Sequence, residues 1–388
     1  MKKILVAAST LLWTFSAAFA DGEKDASANV PVKKWTFIVY MNGDNNLDSF
    51  SDANLNQMKA VGSTDDVNII VLRDRNNQSI SSKILRVAKN KFETVKDFHK
   101  NLDMGDYHTM IDLFQYARQN YPAEHYAFDI WDHGGGWGLK DFVPTFRDIS
   151  WDDGTGHFIS TPEMGKALAE MVKLNDGKKI DLVGTDACLM QMIEVENEVS
   201  PSITAMVASE ETEPGAGWDY TAPLTFLTKN PKANAFQFGD SIAKAYLTTG
   251  SSGLQQSVVS SEALIPLKEK ISVFADKLSA FNVLSKTKVV EIIGQTKGFT
   301  YDDFKDIIDF CKRVVAVAPQ GELKAAAADV LEATKAAIKS NYTNIPDANG
   351  LSIWLPDANT YESKKARYSE LNWAKTNHWA SFLSELYK

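Results

Sequence analysis

The stretch IDLVGTDACLM, residues 180–190, indicates the fold most clearly, because an apolar run ends there at an acid and a cysteine. A second apolar run, YAFDIW at 126–131, ends just before His133, which opens the segment HGGGW. Each run is typical of a buried strand, so each reactive side chain lies just beyond the end of its strand. Because α/β sheets place ligand sites at the carboxyl ends of their strands, we expect Cys188 and His133 on the same rim.

The order of elements around these two strands predicts the fold class. Further strands are predicted at 35–41, 67–72 and 205–209, with edge strands or a hairpin within 80–98 and helices at 47–61, 108–121, 161–174 and 191–199. Strands that alternate with helices indicate a mostly parallel sheet covered on both faces, an α/β/α sandwich.

Beyond about residue 255 the pattern is mainly helical. Helices are predicted at 264–281, 288–293, 301–317, 322–340 and 361–387, and one strand-like run, 351–355, is expected to return to the main sheet. We therefore divide the protein into a signal peptide (1–20), a flexible leader (21–33), an α/β domain (34–255) and a helical C-terminal domain (256–388).

The N-terminal residues predict export. Lys2 and Lys3 precede an apolar run, and Ala18-Phe19-Ala20 is a small-x-small site, so we expect a signal peptide cleaved after Ala20 and a secreted or periplasmic protein. An uncleaved membrane anchor is the alternative. The formal net charge is −9, and the sequence has no basic stripe, which argues against nucleic-acid binding.

The sequence has two cysteines, Cys188 and Cys311. A disulfide between them is one interpretation, since exported proteins often form disulfides. Cys311, however, recurs with apolar residues at helical spacing and is predicted to be a buried core thiol. Cys188 at a strand end is expected to be exposed and reactive.

Together the two strand-end residues can carry out nucleophilic chemistry. A thiol attacks a carbonyl as the thiolate, and a helix N-terminus after Cys188 is expected to lower its pKa. His133 can donate a proton to a leaving amine. The amides of Gly134 and Cys188 are candidates for an oxyanion hole.

Two other chemistries share parts of this pattern. HGGG is also an oxyanion motif of α/β-hydrolase esterases, but the sequence has no Gly-x-Ser-x-Gly. Metal hydrolysis has weak support, because the sequence has no His-x-x-x-His pair and offers only His133 and His157 with Asp152 and Asp153 nearby. The run from Asp44 to Asp48 begins like a calcium loop but lacks glycine at the sixth position and glutamate at the twelfth. The sequence thus indicates no metal or cofactor and leaves calcium dependence open.

These motifs resemble clostripain-type cysteine peptidases, which are related to caspases, gingipains and legumains. The separation of 55 residues between His133 and Cys188 is close to the spacing of roughly 50 in caspases. The matching segments are VYM at 39–41 with NL at 46–47, HGGGW at 133–137, WDD at 151–153, DACLM at 186–190, SEE at 209–211 through PG at 214–215 to GW at 217–218, and GLSIWLP at 350–356.

The resemblance implies a caspase-like fold and an endopeptidase with a His133/Cys188 dyad that cleaves peptides and proteins after Arg or Lys. It further implies that the protein cuts itself between the dyad residues, which we expect after Arg147. Asp186 resembles the family acid of the S1 pocket, but Ala216 stands where some members have a second acid, so the Arg-over-Lys ranking stays open. An inactive caspase-like binding protein and a thiol amidase or transpeptidase remain alternatives.

Overall fold

The computed structural model describes residues 30–138 and 148–388. The predicted signal peptide, the leader up to residue 29 and Arg147 therefore lie outside the described residues.

Eleven strands occur in the described residues. They are β1 (Lys33–Gly43), β2 (Val67–Arg75), β3 (Lys83–Ala88), β4 (Lys91–Asp97), β5 (Ala123–Trp131), β6 (Ile180–Asp186), β7 (Ile203–Ala208), β8 (Gln255–Ser260), β9 (Phe304–Asp306), β10 (Ile338–Thr343) and β11 (Ser352–Trp354). Nine of them form one sheet in the order β10-β8-β7-β6-β5-β1-β2-β3-β4. The middle strands β2, β1, β5, β6 and β7 are parallel, and antiparallel strands close both edges. The predicted mostly parallel α/β sheet is confirmed.

Helices cover both faces of this sheet. They are α1 (Asp48–Val61), α2 (Tyr107–Asn120), α3 (Thr161–Leu174), α4 (Ile193–Val199), α5 (Thr221–Lys229), α6 (Ala235–Leu247), α7 (Ser261–Ser279), α8 (Lys286–Gln295), α9 (Ile307–Val317), α10 (Glu322–Ala337), α11 (Ala358–Tyr368), α12 (Asn372–Thr376) and α13 (Trp379–Leu386).

The central strands are apolar on both sides because both of their faces are covered. In β6, Leu182 packs in one hydrophobic core and its neighbour Val183 packs in the other. Ala127 and Phe128 of β5 divide in the same way. Successive side chains of a strand point to opposite faces of the sheet, so a strand that is buried on both faces has a continuous apolar run in its sequence.

The C-terminal part differs from the prediction in several places. The helix predicted at 301–317 begins only at Ile307, after β9, and the helix predicted at 361–387 is divided into α11, α12 and α13. The run 351–355 does not rejoin the main sheet, because β11 pairs antiparallel with the short β9 in a separate two-stranded sheet. Instead β10 joins the main sheet along β8. The helix predicted at 322–340 therefore ends at Ala337, where Ile, Tyr and Thr replace the alanines and favour a strand. The domain division at residue 255 stays a prediction.

In the described part of the protein, no helix has the length and apolar character needed to cross a bilayer.

Candidate active site

The sheet brings His133 and Cys188 to one rim. Strands β5 and β6 are neighbours in parallel register, with Trp131 opposite Asp186, and each reactive residue follows its strand by two positions. Both side chains line a pocket of about 280 Å³, whose wall also includes Asp186 and Glu213. The sequence prediction that these groups share a rim agrees with this geometry.

Cys188 is covered in this structure, contrary to expectation. Its side chain is 8% exposed, and the backbone of Glu213 contacts the sulfur: the amide donates to Sγ at 3.1 Å, and Sγ lies 3.8 Å from the carbonyl oxygen. Cys188 occupies a turn, and α4 begins only at Ile193, so no helix N-terminus supports the thiolate. Burial, with a smaller contribution from nearby carboxylates, raises the thiol pKa to about 11. The thiol is therefore protonated at neutral pH in this conformation.

The His133 ring is oriented by Asn46. Its Nε2 lies 2.6 Å from the Asn46 carboxamide oxygen, which can only accept a hydrogen bond. Nε2 therefore carries the proton, and in the neutral ring Nδ1 is the basic nitrogen. Burial lowers the pKa of His133 from its ordinary value, which favours that neutral ring. Asn46 was given no role on sequence grounds; its position just after β1, the neighbour of β5, was the available signal.

The loop that carries Asn46 is itself held against the His133 segment. The carboxylate of Asp132 accepts hydrogen bonds from Asn42 Nδ2 at 3.0 Å and Asn45 Nδ2 at 2.6 Å. Both amides also donate to the carbonyl oxygen of Trp151, each at 2.9 Å. The β1 loop is thus fixed to the residue before His133 by paired side-chain hydrogen bonds.

Gly134 packs directly against the backbone of Cys188. A Cβ at this position would lie 2.3 Å from the Cys188 carbonyl oxygen and 3.1 Å from its amide nitrogen. Only glycine permits this approach, which keeps the backbones of the two segments adjacent. The proposed oxyanion role of these two amides stays a prediction.

Asp186 is a buried residue that lines the pocket. Its carboxylate accepts from the amide of Trp218, with both oxygens at 3.1 Å, and from the hydroxyl of Tyr220 at 2.9 Å. Burial raises its pKa to about 6, while these donors oppose the shift. The close approach depends on Gly217, since a Cβ there would lie 2.4 Å from Asp186 Oδ1 and the residue has φ +58°. At neutral pH the carboxylate is mainly ionised.

A second carboxyl group, Asp129, lies behind Asp186. Tyr220 Oη is 2.7 Å from Asp129 Oδ2 and 2.9 Å from Asp186 Oδ2, but a hydroxyl has one proton to donate. Burial, together with the charge of Asp186, raises the pKa of Asp129 to about 8. A protonated Asp129 that donates to Tyr220, which in turn donates to Asp186, satisfies all three groups.

Glu213 is a pocket residue that was not predicted from the sequence. It lines the pocket, its Oε1 accepts from Gln256 Nε2, and its Oε2 is buried without a donor. Burial and the charge of Asp186 hold the pKa of Glu213 well above its ordinary value. Ala216, by contrast, is exposed and is not part of the pocket lining. The pocket therefore has a second acid, three residues away from the position where the resemblance suggested one.

The remaining candidates lie apart from this pocket. Cys311 is 1% exposed within the core, and both cysteines are free, which agrees with a core thiol and excludes the disulfide in this structure. His157 binds Asp103, with Nδ1 2.6 Å from Oδ2.

Asp148, the residue after the predicted cleavage site, is firmly anchored. It is buried, pairs with Arg367, and accepts from the amide of Thr161 at 2.9 Å. Its carbonyl oxygen accepts from the amide of Gly135 at 2.8 Å. The segment that begins at Asp148 is thus tied to the fold independently of any bond to Arg147.

Comparison with known proteins identifies the family. The profile described as the clostripain family, C11 peptidases, matches residues 39–385. The chain belongs to the clostripain family. Clostripain from Hathewaya histolytica is 27% identical over an alignment of 221 residues that covers 48% of this chain and 41% of that protein. The chain therefore spans less than half the length of this curated relative.

Two solved structures of cysteine proteases share the fold. A secreted C11 cysteine protease from Bacteroides thetaiotaomicron, in complex with an irreversible peptide inhibitor, is 20% identical with a TM-score of 0.68, over 88% of this chain and 98% of that one. An inactive zymogen C11 protease from Parabacteroides distasonis is 17% identical with a TM-score of 0.69, over 92% of this chain and 100% of that one. The caspase-like architecture expected from the sequence is confirmed.

Proposed function

We propose that this clostripain-family protein is an endopeptidase that cleaves after Arg or Lys, with Cys188 as the nucleophile and His133 as the general acid and base. The observation that carries the proposal is the pocket between them. The thiol and the imidazole share one rim, and Asp186 lines the same pocket.

The charge of the pocket supports a basic P1 side chain. Asp186 is buried, and within the described residues neither it nor Glu213 forms an ion pair with a Lys, Arg or His of the protein. A buried carboxylate without a cation is costly, so a guanidinium or ammonium group would find a ready partner. Arg can bind two carboxylates along two edges of its planar group, whereas Lys presents a single point charge. Glu213 therefore favours Arg over Lys.

The chemistry follows from these positions. The Sγ of Cys188 bonds to the P1 carbonyl carbon as the thiol proton passes to Nδ1 of His133, and the oxyanion lies beside the amides of Gly134 and Cys188. His133 then gives the proton to the leaving amine, and a thioester remains. Water attacks the thioester, His133 accepts its proton, and the acid product leaves as the thiol is restored.

The thiol of Cys188 is covered, so catalysis requires a conformational change. The Glu213 backbone lies on Sγ, so the segment that follows β7 must shift before a substrate carbonyl can reach the sulfur. A basic side chain that binds Asp186 and Glu213 supplies the binding energy for that shift at the site where it is needed.

Self-processing and export complete the proposal. Cleavage after Arg147 would leave two pieces that stay together, because β5 and β6 are neighbours in the sheet and Asp148 is held by Arg367. A structural relative is described as a secreted protease and another as an inactive zymogen, which supports both steps.

Cleavage-site mapping tests the substrate class. A denatured protein mixture is digested and the new termini are read by mass spectrometry, with Cys188→Ala as the blank. We expect Arg or Lys at P1 in most sites that are absent from the blank. A set of sites without basic residues at P1 contradicts the proposal.

N-terminal sequencing of the purified protein tests self-processing. A new terminus at Asp148 that is missing from Cys188→Ala supports it, and an intact bond between Arg147 and Asp148 in fully active enzyme refutes it.

A further inference from the structure

Helix α11 of the C-terminal part holds the HGGGW segment, residues 133–137, at two points. Tyr368 packs on the end of the segment, where its ring lies 4.8 Å from the ring of Trp137 in an edge-to-face arrangement. Arg367, the preceding residue, forms an ion pair with Asp148, which in turn binds the middle of the segment. The described residues that line the catalytic pocket include none from this helix, so its contacts act on the segment from outside the pocket.

The ion pair between Arg367 and Asp148 is buried on the side of the acid. Asp148 is 1% exposed, and among the described residues each of the two is the other's only partner of opposite charge. Burial raises the pKa of Asp148 to about 6, while the charge of Arg367 opposes that rise, so the carboxylate is mainly ionised at neutral pH. Loss of the guanidinium would leave a buried charge without compensation, which favours a shift of the acid and its backbone.

The backbone of Asp148 sets the direction of the Gly134 amide. Gly134 and Ile149 face each other in an antiparallel bridge, and the Gly135 amide donates to the Asp148 carbonyl oxygen at 2.8 Å. Gly134 therefore occupies a non-hydrogen-bonded position of the bridge, and its own amide points away from the Asp148 segment. The same glycine lies against the backbone of Cys188, since a Cβ on Gly134 would be 3.1 Å from the Cys188 amide nitrogen.

We propose that Arg367 is a positioning residue for the oxyanion hole. It holds Asp148, Asp148 holds the Gly135 amide, and this hydrogen bond directs the Gly134 amide to the place where the oxyanion forms. Amides stabilise an oxyanion best when they are aimed at it before the reaction begins, because no energy is then spent on reorientation. The inference rests on the proposed peptidase function.

The role of Arg367 concerns the rate of the reaction more than the binding of substrate. The P1 side chain binds Asp186 and Glu213, which belong to other segments of the pocket. A shift of the Gly134 amide therefore weakens the transition state and leaves the P1 contacts in place, so kcat falls while KM stays nearly constant.

Steady-state kinetics with a fluorogenic P1-Arg peptide test this consequence. Arg367→Met should lower kcat about 10- to 100-fold and change KM less than about threefold, because a displaced oxyanion donor costs less than the roughly 10²–10³-fold loss of a deleted one. Asp148→Asn keeps an acceptor for the Thr161 amide but loses the charge, so it should lower kcat as well and is the second variant should the first not fold. Rates are divided by the concentration of sites that an irreversible P1-Arg inhibitor labels, so that inactive protein is not counted.

Lys364→Met is the matched control. Lys364 is a buried cation of the same helix and forms an ion pair with Asp303 at 2.8 Å. Loss of this pair should lower Tm, as the loss of a buried ion pair does, but leave kcat within about threefold of wild type. The reason is that neither Lys364 nor Asp303 binds Asp148.

Hydrogen exchange of residues 133–137 measures the contact without any need for catalysis. The Gly135 amide should exchange at least about tenfold faster in Arg367→Met than in wild type, and at the wild-type rate in Lys364→Met. Unchanged exchange in Arg367→Met, unchanged kcat in both variants of an active enzyme, or an equal fall of kcat in Lys364→Met overturns the positioning role. A wild type that cleaves no P1-Arg peptide refutes the peptidase function and, with it, the catalytic part of the inference, and the exchange rates keep the two failures apart.

Discussion

Replacement of Asp186 by Asn removes a negative charge from the pocket lining with almost no change in volume. The side-chain oxygen of Asn can still accept from Tyr220 or from the amide of Trp218. The substitution therefore removes mainly the ion pair with the P1 guanidinium or ammonium group of the substrate, which needs a negative charge.

The expected size of the loss follows from the burial of the pair. Removal of one partner of a buried ion pair costs roughly 3–5 kcal/mol. The carboxyl group of Glu213 remains in the pocket and can ionise beside a bound cation, so the lower end applies. A loss of about 3 kcal/mol corresponds to about a 10²-fold fall in kcat/KM for P1-Arg peptides. Peptides with P1 Ala or Leu should change by less than about threefold, because they make no ion pair.

The assay compares kcat/KM for matched P1-Arg and P1-Ala peptides. Glu196→Gln is the control, because Glu196 is also a buried carboxyl group with a pKa raised to about 8 but lies outside the pocket lining. The reasoning is refuted if Asp186→Asn keeps wild-type P1-Arg activity, or if it lowers activity on both peptides equally together with Tm, as a purely structural acid would.

Three further predictions concern the groups around the pocket. Asn46→Ala should lower kcat about 10- to 100-fold with little change in KM, because the His133 ring loses its orienting acceptor; an unchanged kcat contradicts this role. The rate of Cys188 alkylation by iodoacetamide should rise about tenfold per pH unit from 7 to 10, because a thiol with a pKa of about 11 is still mostly protonated in this range. Buried Cys311 is the internal control, and a rate that reaches a plateau above pH 7 contradicts the raised pKa. The pKa of Asp129 is higher in the folded protein, at about 8, than in the unfolded chain. Protonated Asp129 therefore contributes fully to the stability of the fold below about pH 4, and this contribution is lost as the pH rises towards 8. The fall in Tm between pH 5 and 8 should therefore be smaller in Asp129→Asn, and an identical slope in the two proteins rejects the assignment.

Much of the rim was predictable because it depends on local patterns. The apolar runs before His133 and Cys188 are buried on both faces, and strands of that kind end where polarity returns. Because neighbouring parallel strands have their carboxyl ends at the same edge of the sheet, the two residues are expected at one rim without knowledge of any tertiary contact. Asp186, the last residue of β6, was predicted from the family resemblance and not from this pattern.

The features that could not be predicted from the sequence depend on tertiary contacts. Glu213 enters the pocket from a loop, where hydrophobic periodicity carries no information. Burial raises the pKa of Cys188, the hydrogen bond from the Glu213 amide opposes that shift, and α4 begins too far along the chain to lower it. Strand β10 begins immediately after the alanine-rich helix α10, so the sequence pattern gave no sign of where the helix ends and the strand begins.

The most direct test is a fluorogenic peptide panel varied only at P1, measured with wild type, Cys188→Ala and Cys311→Ala. Cys311→Ala is the matched control, since it removes the other free, buried thiol among the described residues. We expect wild type and Cys311→Ala to hydrolyse the P1-Arg and P1-Lys peptides at least tenfold faster than any neutral or acidic P1 peptide, and Cys188→Ala to hydrolyse none. Equal turnover of P1-Arg and P1-Ala, or activity retained in Cys188→Ala, would contradict the proposed mechanism.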